Sequence, residues 1–294
     1  MVVLARWLAV ALLAAAGLVG GLSAQTRTPV WIDTDPALGE PDRDVDDGLA
    51  LVQAFRLPAL DIRGVSVVFG NAPLDRGVPI ARRVLDALGQ DRMPVAAGAA
   101  EAGDLGRETE ASRALARALA AEPLTILALG PATNVATVIR LHPDLARRMT
   151  RVVAVAGRRP GQRFTTGTTN ARGHRDFNFE LDPESFRVIL EAGVPLVLAP
   201  FEISSAVWLD DTDLARLAAG PPATRMLVDP SRAWLALWRR LWGVSGFNPF
   251  DTLAVGYVGR PDGFVCESLP VDIRVLPDDV TEPGVQGTVV AEKP

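Results

Sequence analysis

Six short, almost continuously apolar runs alternate with helical patterns over the first two hundred residues, and few folds accept that arrangement. The strand runs are Val30 to Asp33, Ile62 to Phe69, Pro94 to Ala97, Leu124 to Leu129, Val152 to Ala156 and Val194 to Ala199. Between them the apolar residues recur at helical spacing over Asp46 to Leu57, Leu74 to Leu88, Glu108 to Ala121, Thr133 to Leu141 and Pro183 to Glu191. A run such as Val65-Ser66-Val67-Val68-Phe69 has no polar face, so both its sides must be covered. The pattern predicts an α/β chain: a single-domain, mostly parallel open sheet flanked by helices. No internal repeat or low-complexity tract divides the 294 residues. Farther on, Ala223 to Trp242 reads as a helix with Trp234, Trp238 and Trp242 on one face, a second helix begins near Asp251, and the tail offers edge strands near Val271 and Gly287.

The N-terminus follows other rules. Arg6 is the only charge before an apolar run from Trp7 to Leu22 that ends in Ser23-Ala24, which is the layout of a secretory signal peptide. Residues 1–24 are expected to be a signal peptide and 25–294 the single mature domain, placing the mature protein in the periplasm or outside the cell; an uncleaved segment would instead tether it to a membrane. Removing the leader changes the net charge from −5 to −6 by deleting Arg6. A modestly acidic surface offers no electrostatic footprint for nucleic acid, and no stable membrane partner is expected after cleavage. The single cysteine, Cys266, excludes an internal disulfide and is expected as a small buried apolar residue.

Ligands of open α/β sheets sit outside the carboxyl ends of the strands. The polar residues just after each strand therefore carry the functional reading. The first strand ends in Asp33-Thr34-Asp35-Pro36, and Asp44-Val45-Asp46-Asp47-Gly48 opens the first helix, so five acids in two groups fall within fifteen positions, with Asp42 on the loop between. Like charges this dense repel one another unless a cation or a reaction uses them. Asp35 and Asp47 are placed to face one another across the loop, with a distant carboxylate such as Asp251 to complete a set of oxygen ligands. No His/Cys cluster has zinc spacing. Singly, each acid has a plainer role: Asp46 and Asp47 on a helix dipole, Asp33 and Asp35 in a turn, Asp251 as a helix cap. Five together at one strand mouth argue for the cation.

The same residues resemble the aspartate cluster of the inosine/uridine-preferring nucleoside hydrolase family. Phe69-Gly70-Asn71, Leu129-Gly130-Pro131-Ala132-Thr133-Asn134, Asn170 with Asp176-Phe177-Asn178 and Asp182-Pro183-Glu184, and Phe250-Asp251-Thr252-Leu253-Ala254 resemble its later motifs, in order, over roughly residues 30 to 256. The resemblance implies Ca²⁺-dependent hydrolysis of the N-glycosidic bond of ribonucleosides to ribose and free base. It implies that Asp35, Asp47, the Thr133 carbonyl and Asp251 hold the ion, that Asp35 is the general base for the ion's water, and that Asp33, Asp46, Asn71, Asn170, Asp176 and Asn178 serve the ribose. It further implies a nucleoside as small-molecule partner, a homodimer or homotetramer, and a part in purine and pyrimidine salvage.

Three departures stand out. The loop Ala37 to Val45 is longer than the family's, with Pro41-Asp42-Arg43 expected to hang over the site, and Asp176 replaces a glutamate. Phe250 stands where many members carry the histidine that protonates the leaving base. Either another group takes over, with His174 the candidate acid against its plainer reading as an exposed loop histidine, or the substrate's base leaves easily, or activity on ordinary nucleosides is low. The tryptophan stripe reads either as core or as a stacking surface for the base, and Trp31 and Trp208 as packing residues. Two other readings compete. A haloacid-dehalogenase-like phosphohydrolase also ends its first strand in Asp-x-Asp, but it needs a lysine and the only one is Lys293. An exported nucleoside- or ribose-binding protein without catalysis fits the missing histidine.

Overall fold

The computed structural model describes residues 27–159, 166, 176–275 and 287–291. The signal segment, Asn170 and His174 lie outside them, as does most of the long loop after the fifth strand. β1 (Thr28–Thr34), β2 (Leu60–Val67), β3 (Val95–Ala97), β4 (Leu124–Ala128), β5 (Met149–Ala154) and β6 (Leu196–Leu198) form one sheet in the order β3-β2-β1-β4-β5-β6, with every pairing parallel. The chain therefore winds outward from β1 in one direction, then returns to the other side of β1 through β4. That reversal opens a crevice at the carboxyl ends of β1 and β4.

The period-2 alternation of the strands divides the core. Val30, Ile32, Leu127, Leu129 and Val153 pack on one face with α1 (Asp46–Arg56), α2 (Leu74–Ala87), α10 (Val228–Trp242) and α11 (Phe250–Gly259). Trp31, Ile126, Ala128, Val152 and Ala154 pack on the other with α3 (Glu110–Ala121), α4 (Thr133–Leu141) and α6 (Pro183–Glu191). Strand runs without a polar face are apolar because each lies between these two layers. Trp31 packs as expected and spends its indole N–H on Ser66 Oγ at 2.8 Å.

Several expectations change. The helix expected over Ala223 to Trp242 is two: α9 (Pro222–Arg225) and α10, the second starting at Val228 because Pro230, which has no N–H to donate, fits only in a first turn. Three helices stand where the sequence reading placed none: α5 (Phe177–Leu181), α7 (Phe201–Ser204) and α8 (Asp211–Ala218). The tail strands β7 (Val271–Val275) and β8 (Gly287–Ala291) do not extend the parallel sheet; they pair antiparallel with each other. Cys266 is exposed, in an extended stretch after α11 where Val265 is 96% accessible. Trp208 is 42% exposed and touches Trp238 only through an edge-on ring contact. No helix among the described residues is long and apolar enough to cross a membrane.

Candidate active site

β1 delivers Asp33 and Asp35 into the crevice, and both are buried. Ser66 Oγ and Asn134 Nδ2 both donate to Asp33 Oδ1, the second at 2.8 Å, while Asn134 Oδ1 accepts from the Ala99 amide. Asp33 thereby ties β1 to β2 and to the first turn of α4. Asp35 Oδ2 accepts from the Asn71 amide at 2.7 Å. Its carboxylate fits only because two neighbours are glycine: a Cβ on Gly70 would lie 1.9 Å from Asp35 Oδ2, and one on Gly130 2.9 Å from its Cγ.

The first turn of α1 brings Asp46 and Asp47, also buried. Asp47 Oδ1 accepts from the Thr34 hydroxyl and from the Asp35 amide, the latter at 3.0 Å. α11 packs against α1, and the Asp251 amide donates to Asp46 Oδ2 at 3.3 Å. One carboxylate oxygen from each of Asp46, Asp47 and Asp251 lies within 4.8 Å of the others. Asp251 is the second residue of its helix rather than its cap, since Pro249 occupies that position.

Four buried carboxylate oxygens, Asp33 Oδ2, Asp35 Oδ1, Asp47 Oδ2 and Asp251 Oδ2, have no hydrogen-bond partner. Burial without a partner disfavours the charged form. Burial pushes Asp33 up to about 7 against the lowering effect of Asn134 and Ser66. Burial and then the Asp47 charge raise Asp35 well above the ordinary carboxylate range. Asp251 is raised by burial and then by Asp46, Asp47 and Asp35; Asp46 by burial and then by Asp44 and Asp47. Such a set, all oxygen and mutually repelling, suits a hard divalent cation.

Above the acids lies a cavity of about 290 Å³. Asp44, Asp46, Asn71, Asp176, Asn178 and Asp251 line its polar half, whereas Asp33, Asp35, Asp47 and Thr133 sit behind that lining. Asp176 Oδ2 accepts from the Gly157 amide at 2.8 Å. Asn178 spends its NH₂ on the carbonyls of Leu129 (2.6 Å) and Val155 (3.1 Å), which leaves its carbonyl oxygen for a ligand. The Thr133 hydroxyl donates to Asp182 Oδ2 at 2.6 Å. Asp182 also caps α6 through the Ser185 amide.

Phe201, Trp234, Trp238, Trp242 and Phe250 line the other half. Trp238 is almost fully buried, with Trp242 at 4.9 Å, Trp234 at 6.2 Å and Phe250 at 6.3 Å between ring centroids. The stripe is core and cavity wall at once. Phe201 stacks on Phe250 at 6.2 Å, a contact that nothing in the sequence announces, because α7 has only four residues. Asp42, Arg43 and Asp44 of the long loop also line the cavity, whereas Pro41 does not.

The chain is 27% identical to the pyrimidine-specific ribonucleoside hydrolase RihA of Citrobacter koseri over 266 residues, 80% of each chain. It is 26% identical to RihB of Escherichia coli O157:H7, a protein of the same described specificity, over 85% of this chain and 84% of that one. A purine-preferring ribonucleoside hydrolase from Gardnerella vaginalis shares the fold, with a TM-score of 0.72 at 17% identity over 90% of this chain and 88% of that chain. The inosine-uridine preferring nucleoside hydrolase family matches residues 30–293, so the chain belongs to that family and, with it, to the hydrolases that act on N-glycosyl bonds.

Proposed function

We propose that the chain is an exported, calcium-dependent ribonucleoside hydrolase that releases ribose and free base for salvage. The observation that carries this reading is the meeting of buried Asp46, Asp47 and Asp251, one oxygen from each within 4.8 Å of the others, at a cavity with one polar and one aromatic half. The residues fit a hard cation. Asp35, Asp47 and Asp251 would supply carboxylate oxygens and the Thr133 carbonyl a neutral one, while Asp46, whose oxygen lies with those of Asp47 and Asp251, would support that set or touch the ribose. When bound, the cation lowers the pKa of a water and orients the sugar hydroxyls.

Asp35 takes the proton of the attacking water. Its buried, partnerless Oδ1 is the acceptor, and the Asn71 amide fixes the other oxygen so that the carboxylate keeps one orientation. Asp33 is a positioning residue, bridging β1, β2 and α4 below the site. Asn71, Asp176 and the Asn178 carbonyl oxygen bind ribose hydroxyls, with Asn170 assigned by resemblance. The carboxylates favour the positive charge that develops on the sugar as the bond to the base lengthens. The base lies against the tryptophans and Phe250. Export rests on the charge and hydropathy pattern of residues 1–24.

Release of reducing sugar from inosine, adenosine, uridine and an aryl riboside, with and without chelator, tests the reading. Sugar release that chelation abolishes and calcium restores is expected. Full activity in excess chelator would remove the cation from the mechanism. Nucleoside binding without sugar release would leave the non-catalytic binder.

A further inference from the structure

An N-glycosyl bond breaks with both electrons going to the base nitrogen, so the base must meet either a proton or a fixed positive charge as it leaves. Among the described residues, the aromatic half of the cavity offers no carboxylic acid or histidine: Phe201, Trp234, Trp238, Trp242 and Phe250 form it. Among the described residues that line the cavity, Arg43 is the one cation.

Arg43 lies between Asp42 and Asp44, yet it pairs with neither. Asp42 meets Arg240 of α10 instead, Nη2 to Oδ1 at 3.7 Å, and Asp44 Oδ1 accepts from the amides of Val45 (2.7 Å) and Asp46 (3.2 Å). Arg43 makes no hydrogen bond or ion pair among the described residues. The loop that carries it is anchored rather than loose. Ala37, Leu38 and Val45 are buried, Glu40 is held by Arg76 at 2.8 Å, and Asp42 keeps a left-handed backbone (φ 54°), which non-glycine residues seldom adopt without a local constraint. The Arg240 contact ties this loop to the helix that bears the three tryptophans. Arg43, without a partner among the described residues, thus lines the same cavity as the aromatic wall.

We infer that Arg43 is the leaving-group residue of this enzyme, pairing with the base as it departs as an anion and so favouring ribonucleosides whose base carries a ring oxo group. The inference rests on the hydrolase reading above. As the bond between C1′ and the base nitrogen breaks, its electron pair stays on the base and the negative charge spreads over the ring nitrogens and the oxo oxygen. A planar guanidinium with fixed, forked N–H groups matches that oxygen-and-nitrogen edge and holds it without giving up a proton. The oxygen of water bonds to C1′, its proton passes to Asp35, and the base takes a proton from solvent after release. A base with only amino substituents has no oxo oxygen to share the charge, and Arg43 helps it less.

The test compares kcat/KM for inosine, adenosine and 4-nitrophenyl riboside in the wild type, Arg43→Met and Arg43→Lys, with melting temperatures to establish that all three fold. Nitrophenolate is stable as an anion and needs little help to leave. Loss of a charge interaction made chiefly in the transition state predicts a fall of about 100-fold on inosine in Arg43→Met, against about 3-fold on the aryl riboside. The preference for inosine over adenosine should collapse in the same variant, and Arg43→Lys should recover part of both. Equal losses on inosine and the aryl riboside would reduce Arg43 to a structural part of the loop, and an unchanged rate on inosine would remove it from the reaction. Either result leaves wild-type sugar release intact, whereas a wild type that cleaves none of the three substrates overturns the hydrolase reading itself.

Discussion

The acid floor and the aromatic wall of the cavity face one another, and different physics holds each in place. Trp234, Trp238, Trp242, Phe201 and Phe250 are stabilised by one another: their ring contacts are edge-on, tilted or offset, and each gains from leaving water. Asp33, Asp35, Asp46, Asp47 and Asp251 are buried and repel one another, so the rest of the fold must hold them there. Main-chain amides, Ser66, Thr34 and Asn134 satisfy one oxygen of several of these acids and leave the other bare. The wall forms for its own stability and serves the ligand incidentally. The floor is formed at a cost that the rest of the fold carries and that protonation or a bound cation would reduce.

Changing a single residue on each side tests that contrast. The largest expected effect is on the floor. Asp35→Asn should lower kcat by about 10²–10⁴-fold, the usual worth of a general base, while the chelated protein melts no lower than the wild type because one repelling charge has gone. A variant that keeps full activity would take the base role from Asp35. On the wall, Trp238→Ala should cost about 3–5 kcal/mol of stability, the cost of emptying a large buried ring site. Urea unfolding measures it, and a loss below about 1 kcal/mol would mean that the wall is not the self-supporting core described.

The smallest effect concerns pH and separates the two sides without mutation. Asp33 rises from 3.8 to about 7 on folding, and Asp35, Asp46 and Asp251 are raised as well. The metal-free folded state therefore binds more protons than the unfolded chain between about pH 4 and 7, and stability conferred by those protons is lost as pH rises through that interval. Melting temperature in chelator should fall from pH 5 to pH 8, and excess calcium should flatten the trend. A chelated protein that becomes more stable with rising pH over this range would contradict the electrostatic account of the floor.

How far the sequence shows these two regions depends on how local their causes are. The aspartate floor was largely legible, since four of its five members lie within fifteen positions at a strand end followed by a helix. The sheet was legible for the same reason: period-2 and period-3.6 patterns are written over five to fifteen residues, and the boundaries of α4 and α6 fall where the pattern puts them. The wall was half legible. Three tryptophans four apart share a helix face by geometry alone, but whether that face meets core or cavity depends on the chain packed against it.

What the sequence determined by itself is therefore the parallel α/β layering, the concentration of acids at the mouth of β1 and the family motifs spread along the chain. Tertiary structure alone decided that the Asp251 amide donates to Asp46 across 205 positions, that Ser66 supports Asp33 from the neighbouring strand, that Phe201 joins the wall from a four-residue helix, and that Arg43 lines the cavity without a partner among the described residues. The reason is the same in each case. Strand and helix periods are properties of neighbouring residues, whereas these placements follow from the packing of α11 on α1, the register of β1 on β2 and the anchoring of one loop, each the sum of many weak contacts between distant parts of the chain.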